Sequence, residues 1–330
     1  MNFDILYDII SSKNSFLLTT HVNPDVDAIG SVIALYKVLK KLGKKVRAVN
    51  YSETPYYLEF LDDEKVIEKY DEEIHSNIFN EVEVIFSLDY NRIDRLVKMS
   101  DKFKVSKAIK ICIDHHQDPE KVFDIYFCLT EYAATGQILY DFIVKKNIVK
   151  LDLEIAIPLY AAIMADSGSF RFERTTPELH RIAAHLLEIG VNPSEVYDKI
   201  YDECNFGKIK LLGDAINSIK LYGDKKELAV MIVTQESLKR NEALESDTDG
   251  FINLCMTING VKAALKFMEL NDGFKVSLRS KGEIPMHKFA GYYEGGGHKN
   301  AAGIRLKNED MNKQMPLIIA KALEFIKEYE

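Results

Sequence analysis

Short apolar runs rich in β-forming residues alternate with helical patterns along the first part of the chain. The apolar runs read SFLLTT, KKVRAVN, VEVIFSLD, AIKICID and FDIYFC, and the helical pattern AIGSVIALYKVLKKLG lies between the first two. In that helical pattern apolar residues recur at steps of three and four from Ile29 to Leu42, and Gly43 follows as a stop signal. The alternation predicts an α/β fold with a parallel sheet, and this helix is expected to pack one face against it.

Three further helical patterns follow, TGQILYDFIVKKN, LEIAIPLYAAIMAD and TPELHRIAAHLLEIG. In the third, Thr176 is expected to cap the helix, Pro177 to occupy its first turn and Gly190 to end it. These helices are expected to complete the first domain.

The spacing of the remaining patterns predicts a second, smaller α/β domain. The run NPSEVYDKIYDECNFGKIKLLGDAINSIKLYG predicts one or two connecting helices, and ELAVMIVT, VKAALKFMEL and GFKVSLRS predict new strands. We therefore expect a first domain over 1–190, a helical linker over 191–221 and a second domain with a glycine-rich loop over 222–330. The last segment, QMPLIIAKALEFIKEYE, predicts an amphipathic helix that covers the second sheet.

Length and composition agree with two soluble domains. The chain has 330 residues, of which 47% are hydrophobic and 28% charged. A net charge of -8 argues against a long nucleic-acid duplex as the main ligand, because duplex binding rests on a basic surface. A short anionic substrate stays open, since metal ions could neutralise it.

The four cysteines and the apolar runs bear on where the protein acts. Cys112, Cys128, Cys204 and Cys255 show no paired spacing, which disfavours a disulfide framework or a zinc ribbon and favours a reducing cytosol. The first residues lack a signal-peptide pattern, and no run approaches the roughly 20 apolar residues of a membrane span. A cytoplasmic protein is expected, and its oligomeric state is left open, with a homodimer as one alternative.

Metal-capable side chains stand at the predicted strand ends, where open parallel sheets bind their ligands. His21, Asp25 and Asp27 lie between the strand SFLLTT and the following helix. Asp27 alone would be explained equally well as a helix cap, but capping does not account for His21 and Asp25.

Two later strands end in the same kind of residue. Asp89 ends VEVIFSLD, where a turn-forming role is the alternative, and Asp114, His115 and His116 end AIKICID. Two adjacent histidines rarely share one environment, which favours one metal ligand and one neighbour that faces the substrate. Asp166 follows the apolar run YAAIMA, where it would be costly to bury unpaired, although it could also cap the helix end.

The candidate ligands are carboxylates and imidazoles without a thiolate, namely His21, Asp25, Asp27, Asp89, His115 and Asp166. Such donors suit Mn²⁺, with Mg²⁺ or Co²⁺ as alternatives, and disfavour structural zinc. Two such cations about 3.5–4 Å apart form the usual clamp for in-line attack at phosphorus.

A second constellation lies near the end of the chain. Arg279 could make a two-pronged contact with phosphate, and Gly295, Gly296 and Gly297 precede His298 and a run of small residues that is expected to open a helix. A glycine run more often marks a flexible loop. The hypothesis that this segment binds phosphate therefore rests on His298 and on the small residues that follow it.

In their order along nearly the whole chain, these residues resemble the DHH phosphoesterase superfamily. The resembling motifs are His21-x-x-x-Asp25-x-Asp27, Asp89, Asp114-His115-His116, Asp166 and the glycine-rich segment. Within the superfamily, ADSGSFRFERTTPELHRIAAHLLEIG, VSLRS and GGGHKNAAG are similar to the stand-alone NrnA-type enzymes. The resemblance implies hydrolysis of short oligonucleotides or linear dinucleotides, with 3′-phosphoadenosine 5′-phosphate as a further substrate.

The resemblance also implies a role for each motif residue. His21, Asp25 and Asp89 would hold one metal ion, and Asp27, Asp89, His115 and Asp166 the other, with Asp89 as the bridge.

His116 would face the reacting phosphate as a catalytic residue together with Asp89, and Asp114 would orient His115. Arg279, the glycine loop and His298 would bind the far part of the substrate. Glu294 replaces a glycine that the family often carries in this loop, which could weaken substrate binding or change preference.

Three alternatives stay open. A cyclic-dinucleotide phosphodiesterase and an inorganic pyrophosphatase or polyphosphatase would use a similar metal site. A nucleotide-binding sensor without activity would be expected to have lost at least one ligand, and all six ligand positions are filled.

Overall fold

A computed structural model describes residues 3–329, which form two compact units. The first unit extends to Glu203 and the second begins at Cys204. Each unit has its own sheet with a hydrophobic core on both faces. Of the segment expected as a linker over 191–221, residues 191–203 lie in the first unit and 204–221 in the second.

The first unit contains a six-stranded sheet in which every pair of neighbouring strands is parallel. The strands are β1 (Ser15–Thr20), β2 (Lys45–Asn50), β3 (Ile67–Lys69), β4 (Val84–Leu88), β5 (Ile109–Asp114) and β6 (Ile125–Cys128). Their order in the sheet is β3-β2-β1-β4-β5-β6. The predicted parallel α/β sheet is therefore confirmed.

The register places the carboxyl ends of the central strands side by side. Thr20 of β1 pairs with Leu88 of β4, and Leu88 pairs with Ile113 of β5. Residues that follow these three strands consequently emerge at one edge of the sheet.

Helices cover both faces of this sheet. They are α1 (Asp4–Ser12), α2 (Val26–Lys41), α3 (Glu72–His75), α4 (Ile78–Glu81), α5 (Ser100–Val105), α6 (Thr135–Lys146), α7 (Leu153–Asp166), α8 (Pro177–Ile189) and α9 (Pro193–Tyr197). A 3-10 turn lies at Tyr56–Leu58, 3-10 geometry interrupted by a kink at Val97 extends over Ile93–Met99, and a π turn lies at Asp198–Asp202. The limits predicted for α8 are confirmed, because Thr176 accepts a hydrogen bond from Leu179 N and Gly190 has φ of 115°.

Close packing between α2, α6 and α7 depends on two glycines. A Cβ added at Gly30 of α2 would lie 2.5 Å from the backbone oxygen of Pro158 in α7. A Cβ at Gly136 of α6 would lie 2.6 Å from the Cβ of Ala162 in α7. Larger residues at these positions would force the helices apart, and α2 and α6 both carry groups of the site described below.

The second unit contains a mixed six-stranded sheet of order β11-β12-β10-β9-β8-β7. Its strands are β7 (Lys220–Tyr222), β8 (Leu228–Val233), β9 (Ala263–Leu270), β10 (Gly273–Ser280), β11 (Gly296–His298) and β12 (Ala301–Lys307). Only β8 and β9 pair in parallel among these described strands.

The helices of the second unit are α10 (Phe206–Asn217), α11 (Gln235–Arg240), α12 (Phe251–Cys255), α13 (Met286–Gly291) and α14 (Met311–Lys327), with a 3-10 turn at Glu245–Thr248. Helix α14 buries Ile318, Ala322 and Phe325 in the same core as Phe267 and Phe274 of the sheet. The final amphipathic helix therefore covers the second sheet, as predicted.

One expectation about this unit is wrong. The small residues after His298 do not open a helix, because Ala301 begins β12, which pairs along its length with β10. Backbone hydrogen bonds to a neighbouring strand outweigh the helix preference of a short alanine-containing run.

Among residues 3–329, no helix combines the length and the apolar character needed to cross a membrane.

Candidate metal centre

The site is built at the carboxyl edge of the first sheet. His21 follows β1 directly, Asp89 follows β4, and Asp114, the last residue of β5, precedes His115. His21, Asp89 and His115 are at most 4% exposed.

Two acids reach the same place from the start of α2. Asp25 is the N-cap residue and accepts a hydrogen bond from Ala28 N at 3.1 Å, so the cap of α2 is Asp25 and not Asp27, and the expectation that capping does not account for Asp25 is wrong. Asp27 lies in the first turn and is fully buried. Its carboxylate does not cap α2, because it accepts hydrogen bonds from the backbone N–H groups of Thr135 at 2.7 Å and Gly136 at 2.9 Å.

These two N–H groups belong to the first turn of α6, so the positive end of that helix faces the Asp27 carboxylate. Thr135 adds a hydroxyl that donates to Asp89 Oδ1 at 3.0 Å, and Ser31 donates to Asp27 Oδ1 at 3.2 Å. Ser31, Thr135 and Gly136 were not among the site residues predicted from the sequence. The available signal was the Thr-Gly pair at the start of an apolar helix, which is typical of a helix N-terminus that approaches an anion.

Asp89 has an unusual backbone conformation. Its φ is 64°, in the left-handed region that non-glycine residues seldom adopt, and Asp is one of the residues that tolerate it best. This conformation costs on the order of 1–3 kcal/mol and persists only where the surrounding structure fixes it. Here it turns the chain at the end of β4 and directs the carboxylate into the site.

The two oxygens of Asp89 face two different histidines. Oδ2 lies 3.5 Å from His21 Nε2, and Oδ1 lies 3.5 Å from His115 Nε2. Asp89 is therefore shared between two sets of side chains.

The first set is His21, Asp25 and Asp89, and the second is Asp27, His115 and Asp166, which is the last residue of α7. Within each set the potential ligand atoms all lie within 4.8 Å of one another. His115 Nε2 lies 3.0 Å from Asp166 Oδ2. The structure thus brings together all six residues that the sequence nominated as metal ligands.

The electrostatics of the centre reflect its excess of carboxylates. Burial, followed by the charges of Asp89 and Asp166, raises the pKa of Asp27 well above its ordinary value. Burial also acts to raise the pKa of Asp89, but hydrogen bonds with His115 and His21 outweigh it and hold that pKa well below the ordinary range. Burial acts to lower the pKa of His115, and Asp166 and Asp89 reverse this effect, so that its pKa lies well above the usual value.

These side chains fit divalent cations. Four carboxylates and two imidazoles converge, and Asp27 and Asp89 are buried beyond the reach of bulk water. The cost of burying several negative charges together falls when cations bind between them. Oxygen and imidazole donors without thiolate match Mn²⁺, Mg²⁺ or Co²⁺.

The role expected for Asp114 needs a correction. Its Oδ1 lies 2.6 Å from His116 Nδ1, so Asp114 orients His116 and not His115. The reason is geometric, because consecutive side chains leaving the end of β5 point to opposite sides. His116 Nδ1 is 3.9 Å from Asp89 Oδ1, and the side chain is 30% exposed.

His115 has other neighbours, which sequence analysis did not identify. Its Nδ1 lies 3.3 Å from the backbone oxygen of Tyr132, and Arg174 Nη1 lies 3.4 Å from the same nitrogen. Burial lowers the pKa of Arg174, and the charge of Asp166 is the largest effect that opposes this shift. The motif FRFERTT placed Arg174 only eight positions after Asp166, yet no periodicity indicated that its side chain returns to the site.

The second unit carries the residues expected to bind substrate. Arg279 lies on β10 opposite Ala264 of β9 and Ala301 of β12, and its Nη1 donates to the Leu278 backbone oxygen at 3.0 Å. His298 is the last residue of β11 and pairs with Ala301. Both therefore flank Ala301 in the sheet.

The glycine run forms a hairpin strand, and its glycines have a structural reason of their own. A Cβ at Gly295 would lie 2.3 Å from the backbone oxygen of Gly303, and one at Gly297 would lie 2.5 Å from that of Ala301. Gly296 meets no such obstacle. Glu294, where the family often has glycine, adopts φ of 57°, a conformation that glycine would adopt without strain.

Comparison with known proteins adds independent findings. Residues 15–163 match the DHH family, N-terminal domain, and residues 227–328 match the DHHA1 domain. The bifunctional oligoribonuclease and PAP phosphatase NrnA of Thermus thermophilus is 31% identical over 307 residues, which cover 93% of this chain and 89% of that protein. The protein of the same name from Bacillus subtilis is 27% identical over 325 residues, covering 97% of each chain.

A solved structure agrees over the whole length. The crystal structure of an exopolyphosphatase-related protein from Bacteroides fragilis superposes with a TM-score of 0.89 at 29% identity, covering 99% of this chain and 96% of that one. Fold and site together define a metal-dependent phosphoesterase, which is a hydrolase. The chain belongs to the DHH family.

Proposed function

We propose that this chain uses two divalent metal ions to hydrolyse short oligonucleotides or linear dinucleotides to nucleoside monophosphates, with 3′-phosphoadenosine 5′-phosphate as a second substrate. The observation that carries the two-metal site is the shared position of Asp89 between two sets of ligands. The substrate class is supported by the names of the Thermus and Bacillus relatives, which match nearly the full length of the chain.

The proposed ligands of one ion are His21, Asp25 and Asp89. Those of the other are Asp89 again with Asp27, His115 and Asp166. When bound, two such ions supply positive charge to the phosphate oxygens and make water acidic enough to react near neutral pH. We propose Mn²⁺ as the physiological ion because the donors are oxygens and imidazoles.

The protein's own groups have separate tasks. Asp27 and Asp89 are fixed by Thr135, Gly136 and Ser31, which reduces the reorganisation needed when phosphate binds. His116 is proposed to stabilise or protonate the oxygen that leaves, and its 2.6 Å contact with Asp114 orients the ring for that step.

Arg279, Gly295, Gly296, Gly297 and His298 are proposed to bind the part of the substrate away from the reacting phosphate. A guanidinium forms strong charge-assisted hydrogen bonds with phosphate, and the glycine strand leaves space for close approach of the substrate. This division of labour predicts a preference for short substrates over strands about ten times as long.

The setting of the reaction follows from the same proposal. We place the enzyme in the cytoplasm, because the four cysteines show no paired spacing. Long duplexes are excluded as substrates, because the net charge is -8 and the centre itself is acidic. A homodimer stays an open alternative to a monomer.

One observation favours a second candidate. The Bacteroides fragilis structure is described as related to an exopolyphosphatase, and inorganic polyphosphate would meet the same metal ligands.

A substrate panel tests the proposal directly. The purified full chain with Mn²⁺ is assayed on a ribodinucleotide, 3′-phosphoadenosine 5′-phosphate, a cyclic dinucleotide and inorganic triphosphate. We expect the highest kcat/KM for the dinucleotide, with nucleoside monophosphates as products. A higher value for triphosphate would overturn the nucleotide assignment, and an Asp89→Asn preparation controls for contaminating nucleases.

A further inference from the structure

Two exposed tyrosines form a pair on the surface of the first unit. The ring centroids of Tyr197 and Tyr201 are 4.8 Å apart with the planes inclined at 52°. Tyr197 is 39% exposed and Tyr201 40%, so each presents much of its ring to solvent. Single exposed aromatic residues are common on protein surfaces, whereas a paired arrangement concentrates aromatic surface at one place.

The backbone fixes this arrangement. Tyr197 ends α9, and the π turn Asp198–Asp202 continues from it and carries Tyr201. Val196 and Ile200, which are each 4% exposed, anchor the same segment in the core. Turns of π geometry occur often at functional sites, where they redirect a side chain.

The tyrosine pair lies near the metal centre. Burial of part of the ring raises the pKa of Tyr201 to about 12, and the carboxylate of Asp166 is the next contributor, with Asp25 also adding. The 3-10 turn Tyr56–Leu58, which follows β2 at the carboxyl edge of the sheet, packs against the π turn. Both observations place the pair at the edge where the proposed ligands converge.

A cavity of about 300 Å³ adjoins Tyr197 of the pair. Its lining includes Tyr197 together with Met164, Ser169 and Phe170. Met164 and Ser169 lie two residues before and three residues after Asp166 in the chain. The volume is at the lower end of the range for small-molecule pockets, which is enough for a planar base.

We propose that Tyr197 and Tyr201 form a stacking surface for the nucleobase next to the scissile phosphate. This inference rests on the proposed function and specifies how the first unit binds its substrate. Stacking on aromatic rings accepts every base, since each base has a π face. The surface would therefore confer affinity for nucleotides without selecting among sequences.

The experiment compares ring removal with base removal. Tyr201→Leu and Tyr201→Phe are assayed on a ribodinucleotide and on two analogues, each lacking one of the two bases. Tyr201→Leu should lower kcat/KM for the full dinucleotide about ten- to a hundredfold, and Tyr201→Phe should stay within about threefold of wild type, because phenylalanine keeps the stacking face. With the analogue that lacks the stacked base, Tyr201→Leu should cause no further loss.

Two results would overturn the stacking surface. Equal losses on all three substrates would show a structural role for the ring, and no loss on any of them would show no role. Bound metal, measured on each variant, should not change. Tyr7→Leu is the control, since Tyr7 is 42% exposed on α1 and carries no proposed role. If Tyr201→Leu does not fold, Tyr197→Leu and Tyr197→Phe are used for the same comparison.

Wild-type protein separates the two proposals. If it hydrolyses triphosphate but no dinucleotide, the proposed function fails and the stacking surface fails with it. If it hydrolyses the dinucleotide and the Tyr201 variants behave like wild type, only the stacking surface is wrong.

Discussion

The two units place their charged side chains in different environments. The first gathers acidic side chains at the end of a parallel sheet and supports Asp27 and Asp89 with backbone N–H groups, hydroxyls or histidines. The second places Arg279 and His298 in half-exposed positions on antiparallel strands, and buries Lys266 on β9 against the oxygens of Thr248. A buried cluster of like charges requires fixed partners, whereas a substrate-binding cation benefits from access to solvent.

This difference agrees with the proposal that the metal ligands of the first unit carry out the chemistry and that Arg279 and His298 of the second unit bind the far part of the substrate. Changes to the proposed metal ligands of the first unit should impair hydrolysis of every substrate. Changes in the second unit should impair only substrates large enough to contact it. The following predictions run from the largest expected effect on hydrolysis to the smallest.

Removal of metal should abolish hydrolysis. The carboxylates would then repel the anionic substrate, and nothing would neutralise the reacting phosphate. Exhaustive chelation followed by addition of single metals, with rates measured on a dinucleotide, tests this point. Mn²⁺ should restore activity better than Zn²⁺, and full activity after chelation would contradict a two-metal site.

Asp89→Asn should be among the most damaging single changes, because it weakens a ligand proposed to serve both ions. We expect kcat to fall by a hundredfold or more, on the order of the largest effects seen for residues that support metal sites. Asp62→Asn is a matched control, since Asp62 is 5% exposed and accepts hydrogen bonds from Val66 N and Ile67 N. Near-normal kcat and metal content in Asp89→Asn would show that Asp89 is not the bridge.

Arg279→Ala and His298→Ala should lower hydrolysis of a dinucleotide more than hydrolysis of a small phosphoester. Loss of one charge-assisted phosphate contact costs about 1.5–3 kcal/mol, which lowers kcat/KM about ten- to a hundredfold for a dinucleotide. Hydrolysis of a nitrophenyl phosphoester, which is too small to need the second unit, should fall much less. Parallel losses on both substrates with intact metal content would refute this division of labour.

Thr135→Val tests the support of the acidic centre. The substitution keeps the side-chain shape and removes the hydroxyl that donates to Asp89 Oδ1 at 3.0 Å. We expect roughly a tenfold loss of kcat together with weaker metal binding, as titration calorimetry would measure. Thr176→Val, which removes the cap of α8, should lower stability and leave kcat unchanged.

Lys266→Met should change stability and leave hydrolysis of the nitrophenyl ester unchanged. Burial lowers the pKa of Lys266 from 10.5 to about 7. Below about pH 7 the side chain is charged in both folded and unfolded protein, so the full cost of burying the charge opposes folding. As pH rises from about 7 towards 10.5, the unfolded chain alone keeps the proton, and the wild-type free energy of unfolding increases.

The stabilisation by Lys266→Met should therefore be largest below about pH 7, on the order of a few kcal/mol, and should shrink towards pH 10.5. Denaturant unfolding at several pH values measures it. Lys239→Met, which changes an exposed lysine on α11, is the control. A gain that does not depend on pH would contradict the buried charge as its cause.

The strands and helices that position the metal centre could be read from the sequence because their signals are local. The run SFLLTT forms β1 without change, and Thr176 and Gly190 mark the ends of α8. Six candidate ligands were found for the same reason, since each follows a strand or stands at a helix end.

Long-range partners could not be read in this way. The hydrogen bonds from Thr135 and Gly136 to Asp27 span more than a hundred residues of sequence. The strand β12 was mistaken for a helix start, because its small residues reveal no alternation until they pair with β10. Asp114 contacts His116 and not His115, the partner predicted from the sequence. Which histidine it contacts depends on the direction in which each side chain leaves the strand.

The left-handed backbone at Asp89 limits how this position can evolve. Asp, Asn and His are the non-glycine residues that adopt the conformation most readily, and of these only Asp supplies a carboxylate. Glutamate would keep the charge but lengthen the side chain and strain the turn, while glycine would relax the turn and lose the ligand. A lineage that abandons catalysis should therefore change Asp89 early, because Asn there weakens the proposed metal ligand, Gly removes it, and both keep the turn.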